Sequence, residues 1–167
     1  PSWAIYTITL LRALKRFNPG VRIADVQGNN VVHRVADMFV DDCDLWSELP
    51  SDSTEEELVE KFRSASQAWE RILFASGGLL ALHKCYWWFL AWDWSNGLPH
   101  PRGKNLDRHS VSLSNGTDEV SIAITRLDLD EANVGLGLRL APSGNQQSEF
   151  DHRVRLVSNI AARLNAV

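Results

Sequence analysis

Apolar residues recur at helical spacing in three stretches of the chain. Ile5, Ile8, Leu11 and Leu14 form a stripe that predicts a helix over residues 3–16, with Arg12, Lys15 and Arg16 in its last turn and Pro19-Gly20 ending it. Leu58, Val59, Phe62, Ala65, Trp69, Ile72 and Leu73 mark one buried face of a longer helix over 54–75. Ser53 with Glu56, and Thr54 with Glu57, have capping-box spacing at its start, and Gly77-Gly78 stops it. Phe150, Val154, Val157, Ile160, Ala161 and Leu164 give a third helical face over 148–165.

Between these stretches the pattern is that of strands and turns. Val21 to Ile23 predicts a short strand, Gln27-Gly28-Asn29-Asn30 a turn, and Val31 to Val40 a strand paired with Cys43 to Leu49. Lys84 to Trp92 reads as a strand apolar on both faces, hence covered. Asn96-Gly97 is a strong two-residue hairpin signal. Ser110 to Leu113 and Glu119 to Thr125 predict a second hairpin around Asn115-Gly116. Val134 to Leu140 reads as one strand, and its Gly135 and Gly137 suit a close backbone approach. Helices and hairpins in this order predict an α+β fold.

The length of 167 residues suits one domain or part of a larger one, and 44% hydrophobic content is enough for a packed core. No apolar run is long enough to span a membrane, so no membrane partner is expected. Two cysteines, Cys43 and Cys85, are too few for a disulfide framework and point to an intracellular setting, cytoplasm or nucleus. A net charge of −4 counts against an autonomous nucleic-acid binder, though not against an acidic catalytic face inside a larger one. Four of the seven Trp fall between Trp87 and Trp94, which suggests an aromatic core or a surface made for a partner. The start at Pro1, without Met, reads as a cut edge.

Asp41 and Asp42 carry the most specific chemistry. Apolar residues lead up to two adjacent carboxylates in Phe39-Val40-Asp41-Asp42. Like charges side by side repel, so such a pair belongs on a wet turn or beside a divalent cation. Hard cations such as Mg²⁺ take carboxylate, phosphate and water oxygens, and two of them can drive phosphoryl transfer. A plain polar β-turn is the other reading of the pair.

The order of features decides between the two. Phe39-Val40-Asp41-Asp42 resembles the Phe/Tyr-x-Asp-Asp motif of reverse transcriptases. The segment from Gly77-Gly78 to Lys84 resembles that family's segment after the palm helix, and Val134-Gly135-Leu136-Gly137 resembles its primer-grip strand. The whole order is similar to the second half of a palm and the start of a thumb in enzymes of retrotransposon type. The resemblance implies an antiparallel palm-type sheet packed on helices, with added β-hairpins and a C-terminal helix. It implies a partial palm over 1–141 and the start of a thumb helix over 142–167. It also implies Mg²⁺ or Mn²⁺ held by Asp41 and Asp42, with Lys84 protonating pyrophosphate as it leaves. Phe39, Val40, Leu136 and Gly137 would contact primer or nucleotide. The implied partners are an RNA template, a DNA primer, deoxynucleoside triphosphates, and the fingers and palm segment that would precede this chain.

In that family a third carboxylate and a Gly-rich positioning segment belong before the first helix, and this sequence has no counterpart of either. The chain alone is therefore expected not to polymerise DNA. A second reading from another class is a non-catalytic remnant or interaction domain of α+β type, with Trp87 to Trp94 as its partner surface.

Overall fold

Thr54 starts the longest element. Its hydroxyl accepts from the Glu57 backbone N–H at 3.2 Å, and the Glu57 carboxylate accepts from the Thr54 N–H at 2.8 Å. This capping box, rather than the one that Ser53 and Glu56 could form, satisfies two donors that a helix start otherwise leaves bare. The computed structural model describes residues 2–39, 42–50, 52–103, 109–114, 121–135 and 138–164; of residues 2–4, 39 and 135 it describes the backbone.

The elements follow in the order α1 (Ser2–Leu14), β1 (Val21–Ala24), β2 (Val31–Arg34), β3 (Ala36–Phe39), β4 (Asp42–Leu45), α2 (Glu55–Ala75), β5 (Tyr86–Trp87), β6 (Trp92–Ser95), β7 (Leu98–Pro101), β8 (Ser112–Leu113), β9 (Ile122–Ala123), β10 (Thr125–Arg126), β11 (Asn133–Gly135), β12 (Leu138–Leu140) and α3 (Gln147–Leu164). The fold is α+β. Among the described residues the strands pair in twos, all antiparallel except β5 with β10, which run parallel. No helix among them is long and apolar enough to cross a membrane.

Two compact units divide the chain. The first holds residues 1–85 and 109–124. Its core is Leu10 and Leu14 of α1 against Trp69 of α2, with Val35, Ala36, Met38, Cys43 and Leu45 packed onto them. The expectation of strands packed on the two helices is met there by β3 and β4. On α1 the inward positions are Tyr6, Leu10, Leu11 and Leu14, while Ile5 and Ile8 stay exposed. Helix α2 ends at Gly77, whose φ of +88° suits glycine, and the Gly78 N–H donates to the Leu73 carbonyl at 2.9 Å. Glu70 is buried on α2 and accepts from the Ser114 N–H at 2.7 Å, tying the end of β8 to the helix.

The predicted strand from Val31 to Val40 is two strands. Val31–Arg34 pairs with β1, Val35 interrupts, and Ala36–Phe39 pairs with β4, so the chain changes partner at Val35. The partner of β3 begins at Asp42, one residue earlier than expected, and ends at Leu45. Gly20 lies against the break: a Cβ on it would lie 2.1 Å from the Arg34 carbonyl oxygen and 2.6 Å from the Val35 Cα. Gly20, just before β1, lies backbone against backbone at the switch, which only glycine permits.

The second unit holds residues 86–108 and 125–167. The predicted long strand over 84–92 is not formed. Residues Leu82–Lys84 make a 3₁₀ turn, Tyr86–Trp87 pairs with Thr125–Arg126, and Trp92 already belongs to the next hairpin. Trp87 and Phe89 are buried, and the Arg126 guanidinium lies 5.2 Å and 5.6 Å from their ring centroids. The β6–β7 hairpin turns on Asn96 (φ +52°) and Gly97 (φ +76°), a type I′ turn as their pairing predicts. The predicted second hairpin exists in the first unit as β8 with β9; its Asn115-Gly116 lies outside the described residues. The single strand expected over Val134–Leu140 is also two, because Asn133–Gly135 pairs with Leu138–Leu140. Helix α3 carries the predicted apolar face, and Phe150, Val154, Val157, Ile160 and Leu164 are all exposed on it.

Candidate functional site

The β3–β4 hairpin sorts its residues by alternation. Ala36, Met38, Cys43 and Leu45 face the helices, and the opposite parity puts Asp37, Asp42 and Asp44 on the other face. The register sets Asp37 across from Asp44 and Phe39 across from Asp42. Sequence reasoning singled out Asp42 alone of these three carboxylates. The period-two spacing of Asp37 with Phe39, and of Asp42 with Asp44, was the signal for the other two.

Each carboxylate has its own surroundings. Asp37 accepts from Arg34 Nε at 2.7 Å and Nη2 at 2.6 Å, a two-pronged ion pair, and from Trp46 Nε1 at 3.0 Å. The Arg34 guanidinium also lies 5.7 Å from the Trp46 ring centroid. Asp44 has no such partner among the described residues. Partial loss of water raises its pKa above the ordinary carboxyl value, and the Asp37 and Asp42 charges raise it further, against a smaller opposing pull from Arg34. Asp42 is exposed at the start of β4. On the inner face the Cys43 thiol is pushed up to about 12, first by burial and then by Asp44 and Asp37, so it stays protonated and unreactive at neutral pH.

Of the residues the sequence pointed to, Val40, Asp41, Leu136 and Gly137 lie outside the described residues, as does the side chain of Phe39. Asp42 is held on the polar face of the hairpin. Lys84 is exposed at the end of the 3₁₀ turn, not at the start of a strand, and it makes no hydrogen bond or ion pair with Asp42. The donor set of the hairpin is all carboxylate oxygen, which suits a hard divalent cation. Among the described residues no three His, Cys, Asp or Glu side chains gather into a metal cage. Any such site on this hairpin therefore needs Asp41 or a ligand from elsewhere.

No family model, curated protein or solved structure matches the chain.

Proposed function

We propose that the chain is part of an RNA-directed DNA polymerase of retrotransposon type, the second half of its palm with the start of its thumb, and that Asp41 and Asp42 are its metal-binding carboxylates. The observation that supports this reading is the hairpin: β3 and β4 flank Val40-Asp41, bury one face on α1 and α2, and leave a carboxylate face open to solvent. A bound pair of Mg²⁺ or Mn²⁺ ions would supply activation of the primer 3′-hydroxyl and neutralise charge on the leaving pyrophosphate. The chain's own part is to hold those ions through Asp41 and Asp42, to seat primer or nucleotide against Phe39, Val40, Leu136 and Gly137, and to offer Lys84 as a proton donor. The template, primer and nucleotides bind in the complete enzyme, which also provides the third carboxylate. Such an enzyme works inside the cell.

Mn²⁺ titration of the isotope-labelled chain tests this. Paramagnetic broadening should saturate around residues 39–42 and disappear in Asp41→Asn and Asp42→Asn. Broadening centred elsewhere, or unchanged in both variants, sinks the reading. The chain alone should extend no primer with Mg²⁺ or Mn²⁺; robust extension that Asp41→Asn blocks would show that it is already a complete catalyst.

A second reading rests on Trp92 and Trp94, exposed on β6 opposite Pro101 and Pro99. A non-catalytic domain that offers this face to another protein predicts no site-specific Mn²⁺ binding at Asp41 or Asp42.

A further inference from the structure

We infer that a cleft beside the β1–β2 hairpin binds a phosphoryl oxyanion. The cleft has a volume of about 400 Å³, within the range of small-ligand sites. Arg22 of β1 and His33 of β2 line one side, directly opposite each other in the register, so both side chains leave the same face of the hairpin. Lys61 comes from α2, and Pro19, Gly20, Glu48, Leu49 and Pro50 complete its described lining.

The charges in the cleft do not cancel. Glu48 is the one carboxylate among its described lining residues, and Glu48 Oε1 already accepts from the Arg22 backbone N–H at 2.5 Å. Lys61 Nζ donates to the Glu48 carbonyl oxygen at 2.6 Å, which leaves two of its three N–H groups for another acceptor. Neither the Arg22 guanidinium nor the His33 ring has a hydrogen-bond or ion-pair partner among the described residues. Two permanent cations thus face one engaged carboxylate, before His33 is counted, in a chain whose net charge is −4. The guanidinium fork fits two oxygens of one anion, and the ammonium is a point charge for a third. A carboxylate offers only two oxygens, whereas a phosphoryl group offers three to these three donors. Leu49 and Pro50 give an apolar wall for whatever the phosphoryl group is attached to.

The proposal goes beyond the polymerase reading and does not rest on it, because none of these residues belongs to the hairpin that carries Asp42. Its test is an amide NMR titration of the full chain at low salt, with sodium pyrophosphate in one arm and thymidine 5′-monophosphate in the other. Saturable shifts at Gly20, His33 and Glu48 are expected. Pyrophosphate alone producing them identifies a free anion as ligand, and the nucleotide producing them identifies an esterified phosphoryl group. Arg22→Ala should weaken binding at least about tenfold, the scale of one charge-assisted pair, and Lys61→Gln should weaken it less. Circular dichroism reports whether each variant folds; if Arg22→Ala does not, His33→Ala and Lys61→Gln decide. No saturable shift in either arm, equal affinity in the folded variants, or succinate binding as tightly as pyrophosphate overturns the proposal.

Discussion

Asn18 Nδ2 donates to the Trp46 carbonyl oxygen at 2.7 Å, across a chain separation of 28 residues. The same side chain accepts from the Gly20 N–H at 3.1 Å through Oδ1, and Asn18 is fully buried. One amide thus ties the end of α1 to the end of the carboxylate hairpin.

Removing that amide should loosen the hairpin. Asn18→Ala takes the partner from a part-buried carbonyl and from a buried N–H, an expected loss of about 2–3 kcal/mol. Asn18→Asp keeps the acceptor for Gly20 but has no proton for the Trp46 carbonyl at neutral pH. It should regain stability on acidification, when its carboxyl can donate. Urea denaturation of both variants at pH 7 and pH 5 checks this; an Asn18→Ala change within the noise would mean the clamp is dispensable.

Gly20 should tolerate no side chain. Its φ is +80°, and a Cβ would meet the Arg34 carbonyl oxygen at 2.1 Å, a backbone atom that cannot swing aside. Gly20→Ala combines left-handed strain with that clash, and should cost more than about 2 kcal/mol. Gly28 has a φ of +73° with open space around it, so Gly28→Ala pays for conformation alone and should cost less. Equal thermal midpoints for the two variants would mean that the contact at the strand switch is not tight.

Asp44 predicts a pH dependence. Its folded carboxyl titrates above the ordinary value of 3.8, so the folded state holds that proton more tightly than the unfolded chain does. The stability linked to this group is complete below pH 3.8 and is lost as pH rises through the folded value. Asp44→Asn removes the repulsion from Asp37 and Asp42. It should raise stability at pH 7 by about 0.2–0.5 kcal/mol, a cross-strand like-charge pair discounted for solvent screening. The advantage should shrink as pH falls toward 4. An advantage that stays constant from pH 7 to pH 4 would point to packing and not to charge.

The elements legible in the sequence are those whose cause is local. Thr54, Glu57 and the apolar spacing from Leu58 to Leu73 define α2 within its own residues, and Asn96-Gly97 sets its hairpin because both residues accept positive φ. The strand-turn-strand pattern around Asp41-Asp42 likewise declares a hairpin, and Asp42 opens its second strand. Tertiary structure decided what depends on distant partners. Val31–Val40 carries an unbroken strand signal, yet the chain changes partner at Val35, where Gly20, eleven or more residues earlier, lies close to Arg34 and Val35. Tyr86–Trp87 extends no further because its partner, Thr125–Arg126, is two residues long and lies far along the chain. Lys84 falls on a 3₁₀ turn, outside any strand. The joining of Arg22, His33 and Lys61 around one cleft appears in no spacing, since β1, β2 and α2 meet there only after the chain has folded.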